Sequence, residues 1–561
     1  MAAGHTFPSE TQMMVKFLGL TSGYALWARG TQRQVQPCYC SSLKSGSNLV
    51  LGLMSHWKSS KVRDPSPRLP RQGSTSVSLQ DAPRESSTLG HQMVHQALVY
   101  HSKEVRTMAM AAKQYSPRVL VLAKDPNTVC RLNANAFQQD AVTTFNNFQY
   151  VAYYTAASTS PDSVRYVTLA RRNLIETDQD WEKLVLDDYD QTTDDGHNTI
   201  SIGICTGDGT IHVSFDHHCD DLRYRISPAG VALNPSSHHW TSSLFGPVRN
   251  HLPGLEPSAF TSISYPRFFS AGDDLMFEAR TGKAGAGSDM MFLYSSERQT
   301  YTSRGTYLVG INNNPYPNGI SFADGRMHVS WTYRDFVAYE GADDLDNNAH
   351  KAQAGPNGPE NNFDLNYAYS DDCGQSWCNS VGHAIASLED TQAVSEPGIS
   401  PSSKNIAVQK IPKYSGIMNQ ESQCIGSVTG DFHVLNRDNT SGTEQWRHYL
   451  RDAVTGEWTS TAIPDVFPTE TGSRGCIASD ATGNSIYFLL PGNQDTSLTM
   501  MRRRKVEAAG YSGFDVLWSG EGYDGEPNVD RVRLSQGDGI LSAFTRTAGT
   551  ERDVVVLDFE L

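Results

Sequence analysis

The sequence predicts an all-β protein: a seven-bladed β-propeller preceded by a largely disordered N-terminal extension. Three observations support this prediction. Apolar residues alternate with period two from about residue 127, one strand–turn–strand phrase recurs seven times, and an Asp-box pattern is present. Seven hairpin units arranged radially protect their strand edges by closing into a ring. We therefore predict an extension at residues 1–126 and a propeller at residues 127–561.

The recurring phrase is a pair of apolar strands joined by a tight turn of Gly, Asp or Asn. Clear copies are ISIGICTGDGTIHVSF at 200–215, ISFADGRMHVSWTY at 320–333 and QCIGSVTGDFHVLN at 423–436. This pattern is typical of β-hairpins. One doubled gap between turns, from Gly325 to Gly430, predicts a long surface loop at about residues 336–362.

The Asp-box is the run Ser370-Asp371-Asp372-Cys373-Gly374-Gln375-Ser376-Trp377. Its Asp and Ser side chains are expected to fix a hairpin turn while the Trp packs into the blade. The box therefore predicts a structure and says nothing about activity.

Charge and composition exclude several classes of function. The chain of 561 residues has a net charge of −15, which argues against a nucleic-acid partner. No apolar run is long enough to span a membrane. We expect the protein to be a monomer.

The N-terminal segment, rich in Ser, Arg, Pro and Gln, cannot bury enough apolar surface to fold alone. It is open whether this segment is a disordered extension, a targeting segment or the product of a wrongly chosen start codon.

Two histidines form the first candidate site. His197 precedes the inner strand of its blade, and His217 closes the return strand of the same hairpin. Because a hairpin brings its two ends together, we expect them to be neighbours at one mouth of the propeller. Paired imidazoles suit proton transfer near neutral pH, and they could also bind a metal. A buried structural role is the alternative for His217 and equally for His218.

The next blade offers a tyrosine and an arginine by the same argument. Tyr265 starts an inner strand and Arg280 ends its partner strand, so both are expected at the same mouth. A guanidinium matches a carboxylate, and a tyrosine beside a cation can transfer a proton. A structural salt bridge is the alternative for Arg267 and Arg280. Further candidates for sugar binding, less specific in their surroundings, are Asn198, His218, Arg267, Tyr333, Arg334 and Asn419.

Several of these motifs together resemble a known family. NAFQQD at 135–140, DDGHN at 194–198, FDHH at 215–218, YPRF at 265–268, HVSWTYR at 328–334 and MNQE at 418–421 resemble BNR-type propeller proteins of fungi and bacteria. Within that group the chain is most similar to the fungal L-rhamnose-α-1,4-D-glucuronate lyases and, more distantly, to the ulvan lyases.

The resemblance implies a secreted polysaccharide lyase that releases rhamnose from glucuronate by β-elimination. Its substrates would be plant arabinogalactan or gum arabic side chains. By motif position, Arg280 would neutralise the uronate, His197 and Tyr265 would transfer protons, and His217 would share that role or orient the substrate. The resemblance leaves open which of the pair is the base. It requires no cofactor but implies calcium in the central channel.

Two other classes of function compete with the lyase. An α-L-rhamnosidase would hydrolyse the same linkage without forming an unsaturated uronate. A carbohydrate-binding propeller would bind glycans without turnover. Fold alone does not decide among them.

Overall fold

Seven antiparallel sheets follow one another along the chain and form the predicted propeller. The computed structural model describes residues 115–136, 140–176, 180–283, 287–339, 357–388, 398–494, 496–506 and 510–561. Most of the predicted N-terminal extension, residues 1–114, lies outside the described residues. Within the described ranges, no helix is long and apolar enough to cross a membrane.

The strands are numbered in chain order and the blades I to VII. A first strand, β1 (Arg118–Lys124), precedes blade I, and the first three blades then use β2 (Val142–Phe145), β3 (Phe148–Ala156), β4 (Arg165–Asn173), β5 (Glu182–Gln191), β6 (Ile200–Ile204), β7 (Ile211–Phe215), β8 (His218–Asp220), β9 (Tyr224–Ile226), β10 (Ile263–Ala271), β11 (Asp274–Thr281), β12 (Ser288–Ser295) and β13 (Thr300–Leu308). Blade I is β2–β5, blade II is β6, β7 and β9, and blade III is β10–β13 with β8 at its inner edge.

Blades IV to VII complete the ring. Their strands are β14 (Asn313–Ala323), β15 (Arg326–Asp335), β16 (Asn362–Ser370), β17 (Ser376–Asn379), β18 (Ala384–Ser387), β19 (Ala407–Gln409), β20 (Ser422–Ile425), β21 (Phe432–Asp438), β22 (Gln445–Arg451), β23 (Trp458–Ala462), β24 (Cys476–Ser479), β25 (Ser485–Pro491), β26 (Ser497–Val506), β27 (Gly510–Tyr511), β28 (Asp515–Glu521), β29 (Asn528–Val529), β30 (Ile540–Arg546) and β31 (Asp553–Glu560). Blade IV is β14–β19, blade V is β20–β23, blade VI is β24–β28, and blade VII is β29–β31 with β1. A short helix, α1 (Arg531–Gln536), follows β29, and 3-10 turns occur at Pro235–Ser237, Ser242–Leu244, Pro257–Ala259 and Pro359–Asn361.

The propeller begins earlier than the predicted boundary at residue 127. β1 pairs with β31 as the outer strand of blade VII, with Arg118 opposite Asp558 and Lys124 opposite Asp553. Only Leu122 within β1 is fully buried, because an outer strand has one solvated face and edge. This weak apolar alternation explains why the strand was not predicted. The boundary is therefore corrected to residue 118 or before.

The Asp-box behaves as predicted. Ser370 Oγ donates to Asp372 at 2.7 Å, and Asp372 also accepts the backbone N–H of Ser376 at 2.8 Å. Trp377 is fully buried and stacks on Tyr307 of blade III with ring centroids 5.3 Å apart. The turn thus positions a large ring in the apolar layer between two blades.

The first strands of the blades pack against one another around the central channel. The segments that lead into β6, β20, β24 and β29 line one common cleft. This arrangement gathers residues that are far apart in the sequence.

Candidate active site

A cleft of about 980 Å³ lies at the mouth where the inner strands begin. It is lined by Cys130, Arg131, Asn135, Thr193, Asp194, Asp195, Gly196, His197, Arg334, Pro359, Met418, Asn419, Thr471, Gly472, Ser473, Arg474 and Glu526. Most of these residues belong to connections rather than strands. Binding sites are often built in this way, from loop side chains that a rigid scaffold holds in place. Three of the predicted residues, His197, Arg334 and Asn419, line this cleft directly.

Asp195 holds two imidazoles at the edge of the cleft. Its Oδ1 lies 2.5 Å from Nδ1 of His197, and its Oδ2 lies 2.7 Å from Nδ1 of His218. The two rings stack with centroids 4.0 Å apart. Oδ1 also accepts the backbone N–H of His197 at 3.0 Å, which fixes the tight turn through Gly196.

The charges of this trio follow from its contacts. Burial alone would raise the pKa of Asp195, but the hydrogen bonds and charges of His197 and His218 hold it well below its ordinary value. Burial, together with the charge of His197, lowers the pKa of His218 to about 3. Asp195 is therefore an ionised acceptor, and both Nδ1 atoms must carry their protons toward it.

Tyr265 lies next to the histidine pair because its backbone is unusual. It has a left-handed φ of 56°, and the register of β10 against β11 shifts between Ser264 and Arg267. Such a bulge redirects a side chain out of the strand alternation. The Tyr265 ring lies 5.9 Å from the His197 ring. Burial raises the pKa of Tyr265, and the positive charge of Arg280 opposes that shift.

Arg280 and Arg334 enclose a second tyrosine, Tyr316, behind Tyr265. The Arg280 guanidinium lies 4.7 Å from the centroid of the Tyr265 ring, and that of Arg334 lies 4.9 Å from the centroid of Tyr316. Burial opposes ionisation of Tyr316, but the charges of Arg334 and Arg280 together lower its pKa. Within the described part of the chain, neither arginine pairs with a carboxylate. Both can therefore accept an anionic ligand without first breaking an ion pair.

Two predicted residues face the interior of blade II instead of the cleft. His217 is fully buried and its Nε2 accepts a backbone N–H at 2.6 Å, while Asn198 donates to Asp216 at 2.7 Å. Asp216 has a left-handed φ of 64°, which ends the alternation of β7. The imidazole stacked on His197 is consequently that of His218. The placement of His217 and Asn198 at the site is corrected.

Two further predicted residues also lie elsewhere. Arg267 is buried in an ion pair with Glu278 at 2.7 Å, the structural alternative considered above. Tyr333 is buried in the apolar layer of blade IV, where its ring stacks on Phe363 with centroids 6.1 Å apart. Since successive strand residues face opposite sides, its neighbour Arg334 reaches the cleft.

Sequence reasoning did not single out several residues that the fold brings to this mouth. Asp195 lies two residues before His197 in the sequence, so a signal for it existed. Tyr316 follows the run Asn312-Asn313-Asn314-Pro315, a composition that suits a turn as well as a sugar-binding site. Arg131, Arg474 and Glu526 come from three distant segments, and only the closed ring unites them.

Two places bear on metal binding. Asp195, His197 and His218 have ligand atoms within 4.8 Å of one another, the one such group in the described ranges. A metal there would compete with the hydrogen bonds that Asp195 already accepts. The central cavity, about 350 Å³, is lined by the inner strands.

The central cavity does not fit the calcium that the resemblance implies. Its described carboxylates are Asp140 and Asp480, and Arg267 and Arg531 belong to the same lining. Burial raises the pKa of Asp140 to about 6, against the charges of Arg531 and Arg267. Calcium prefers about six to eight oxygen ligands, and this lining offers few carboxylates beside two cations. Calcium stays a prediction that metal analysis of the purified protein would test.

Comparison with known proteins agrees with this architecture. Residues 148–466 match the model of the BNR repeat-containing family. The chain is 23% identical over 232 residues to an ulvan lyase, long isoform, of Pseudoalteromonas sp. (strain PLSV), a match covering 35% of this chain and only 23% of that protein.

Two solved structures share the fold. The polysaccharide lyase Uly1 has a TM-score of 0.57 at 18% identity, covering 80% of this chain and 100% of that chain. A family PL25 ulvan lyase bound to -[GlcA(1-4)Rha3S]- has a TM-score of 0.52 at 13% identity, and the match covers 78% of this chain and 95% of that chain. At these identities the likeness is evidence for the fold. Because the family model spans more than half of the sequence, the chain belongs to the BNR repeat-containing family.

Proposed function

We propose that this protein is a polysaccharide lyase that cleaves a glycosidic bond at O4 of a uronate by β-elimination. The observation that carries the proposal is the Asp195–His197–His218 trio at the edge of a cleft, with Tyr265 beside it. Two buried guanidiniums lie behind Tyr265, and among the described residues neither pairs with a carboxylate. β-Elimination needs a base, an acid and neutralisation of the uronate, and these groups supply all three.

His197 is the proposed base. Its Nδ1–H donates to Asp195, so the neutral imidazole carries its lone pair on Nε2. The negative charge of Asp195 stabilises the imidazolium that forms when Nε2 takes the C5 proton, and it holds the ring in one orientation. The electron pair of the broken C5–H bond then forms the C4–C5 double bond as the C4–O4 bond breaks.

Tyr265 is the proposed acid. Burial keeps its pKa raised, so the phenol carries its proton at neutral pH. It can give that proton to O4 of the leaving sugar, which departs as a neutral alcohol. The nearby Arg280 charge stabilises the phenolate left behind.

Arg334 and Arg280 are the proposed partners of the uronate carboxylate. Arg334 lines the cleft, whereas Arg280 is buried against Tyr265. Neutralising the carboxylate lowers the free energy of the carbanion-like state that forms when the C5 proton leaves.

The finer proposal is that the enzyme releases L-rhamnose from L-rhamnose-α-1,4-D-glucuronate in arabinogalactan or gum arabic, acting outside the cell as a monomer. Support comes from the motifs in the sequence and from the similar ulvan lyase structure, whose ligand contains glucuronate and rhamnose. Secretion is tested by assaying culture medium, and the monomer by light scattering.

The deciding experiment follows ultraviolet absorbance of the unsaturated uronate and free rhamnose together, with the full chain and gum arabic. Rising absorbance with rhamnose release supports the lyase, and His197→Ala should abolish both signals. His239→Ala, at an exposed histidine that is not part of the cleft lining, is the matched control and should retain activity. Rhamnose without absorbance would establish a hydrolase instead. Binding without either product would leave a carbohydrate-binding propeller.

A further inference from the structure

Two buried guanidiniums need a negative charge to balance them, but a fixed carboxylate in that place would compete with the substrate. We propose that Tyr316 is a positioning residue of the uronate site: its phenolate and the carboxylate of a bound uronate are alternative counter-charges for Arg280 and Arg334. Binding of the uronate is then coupled to uptake of a proton by Tyr316. The inference rests on the proposed function, because it concerns the two arginines assigned to the uronate.

Both arginines donate to neutral groups. Nη2 of Arg334 donates to Oδ1 of Asn419 at 2.6 Å, and its Nε donates to Oδ1 of Asn362 at 3.0 Å. Nη2 of Arg280 donates to Oγ of Ser264 at 3.0 Å. In the part of the chain that the structure describes, neither guanidinium therefore has an ionised acid in direct contact.

An acid opposite Arg280 in the sheet does not supply the missing charge. Asp289 on β12 is the register partner of Arg280 on β11, and it is buried. Burial raises the pKa of Asp289 well above its ordinary value, and the charge of Glu278 adds to that shift. The neutral carboxylic acid is therefore the favoured form at this position.

Tyr316 contacts both guanidiniums, and N–H donors face its oxygen. The guanidiniums of Arg334 and Arg280 lie 4.9 and 5.9 Å from the centroid of its ring. The phenol oxygen accepts from Nη1 of Arg280 at 3.4 Å and from Nδ2 of Asn314 at 3.2 Å. The amide of Asn314 is fixed in this orientation, because its Oδ1 accepts the backbone N–H of Gly287 at 2.7 Å. A phenolate uses both donors, whereas a phenol proton has no acceptor among the described contacts.

The two buried tyrosines of this site differ in how easily they ionise. Burial disfavours both phenolates, but the charges of Arg334 and Arg280 outweigh it for Tyr316 and lower its pKa. For Tyr265, burial outweighs the charge of Arg280, and a negative charge on Tyr316 raises the pKa further. Tyr316 thus loses its proton before Tyr265, which keeps the proton that the proposed reaction requires.

Two other titratable groups lie beside Arg280, both on β8. Sγ of Cys219 is 3.4 Å from Nη2 of Arg280, so its thiol is the rival candidate for a counter-charge. His218 precedes it, and burial lowers the pKa of that imidazole to about 3, which leaves it neutral. A test of Tyr316 must therefore also exclude the thiol.

The direction of the coupling follows from the charges. The uronate carboxylate meets Arg334, which lines the cleft, and its negative charge disfavours the phenolate behind that arginine. Tyr316 then takes a proton from water, so one negative charge replaces another beside the guanidiniums. Uronate affinity should therefore fall as the pH rises through the pKa of Tyr316, by up to about tenfold for each pH unit.

Calorimetric titration of the full chain with methyl glucuronide tests the coupling without turnover, since this probe carries no sugar at O4. Titrations at one pH in buffers of different ionisation enthalpy give the number of protons taken up. Between about pH 8 and 10, uptake by the unmodified protein should rise toward about one proton per bound probe. Tyr316→Phe should abolish the uptake and the loss of affinity with pH. Methyl glucoside, which lacks the carboxylate, should cause no uptake.

Two control variants isolate the phenol. Cys219→Ser removes the rival thiol and should leave the uptake unchanged. Tyr414→Phe, at an exposed tyrosine outside the cleft lining, should do the same. Ultraviolet difference titration of tyrosinate, comparing the unmodified protein with Tyr316→Phe, gives the pKa of this phenol directly, and methyl glucuronide should raise it. Thermal unfolding checks that each variant is folded.

The outcomes separate this inference from the proposed reaction. Proton uptake that is lost in Tyr316→Phe and kept in both controls supports it. Uptake that persists in Tyr316→Phe, uptake that is lost in Cys219→Ser, or a pH-independent affinity of the unmodified protein would overturn it, even if unsaturated uronate is formed. Proton-coupled binding without any unsaturated product would overturn only the lyase. Failure of methyl glucuronide to bind would overturn the assignment of both arginines to the uronate, and this inference with it.

Discussion

Replacing Asp195 by asparagine tests the proposed base with almost no change in shape. The carboxylate accepts Nδ1–H from both His197 and His218. An asparagine has one acceptor oxygen, and its NH₂ would face the second Nδ1–H donor. One imidazole must then move its proton to Nε2 or turn away. If His197 does so, it loses the lone pair that the proposed reaction requires.

The expected magnitude follows from that loss. Positioned acid–base catalysis contributes about 100- to 10,000-fold, so kcat for Asp195→Asn should fall by about that range while KM changes little. Initial rates of unsaturated uronate formation measure both constants. Nitrogen NMR of labelled histidine reports the tautomers independently of turnover. Asp221→Asn, at an exposed aspartate outside the cleft lining, is the matched control and should retain its kcat.

Two results would contradict this assignment. A kcat for Asp195→Asn within about threefold of the unmodified protein would show that the carboxylate does not set the state of the base. A rise in KM with unchanged kcat would place Asp195 in binding rather than in proton transfer.

Three further predictions follow from other parts of the molecule. Tyr265→Phe should lower kcat about 100-fold with little effect on KM, and a change in KM alone would assign the phenol to binding. Outside the candidate site, burial lowers the pKa of three histidines to about 3. Histidines of the unfolded chain titrate at about 6.5, so the unfolded state binds more protons, and the free energy of unfolding should fall below about pH 6.5, by about 2 kcal/mol per histidine at about pH 5. Denaturant titrations that show no such loss would refute this prediction. Those histidines are His212, His328 and His433. Deleting residues 1–126 removes β1 and should lower the apparent Tm by on the order of 5 °C relative to deleting residues 1–114, whereas equal values would deny β1 a structural role.

The fold was predictable because its signals are local. Hairpin turns and period-two alternation occur within a few residues, and the Asp-box carries its own hydrogen bonds. β1 was not predicted for two reasons. Its partner β31 is more than 400 residues away in the sequence, and an outer strand has little apolar alternation of its own.

The candidate site was predictable only in part. Hairpin geometry brought His197, Tyr265 and Arg280 to one mouth, as expected. The same geometry failed for His217, because the left-handed backbone at Asp216 ends the alternation and presents His218 instead. Strand periodicity cannot reveal such a break, since an aspartate adopts that conformation only where tertiary contacts favour it.

The pairing of β1 with β31 also has a consequence for how the chain is made. Lys124 donates to the carbonyl of Glu551, a contact that spans 427 residues. During synthesis the first strand leaves the ribosome long before its partner exists, so β1 must wait unpaired while six blades form. The ring therefore closes only after β31 has been translated, and a polypeptide released before that point would expose strand edges at both ends of an open arc.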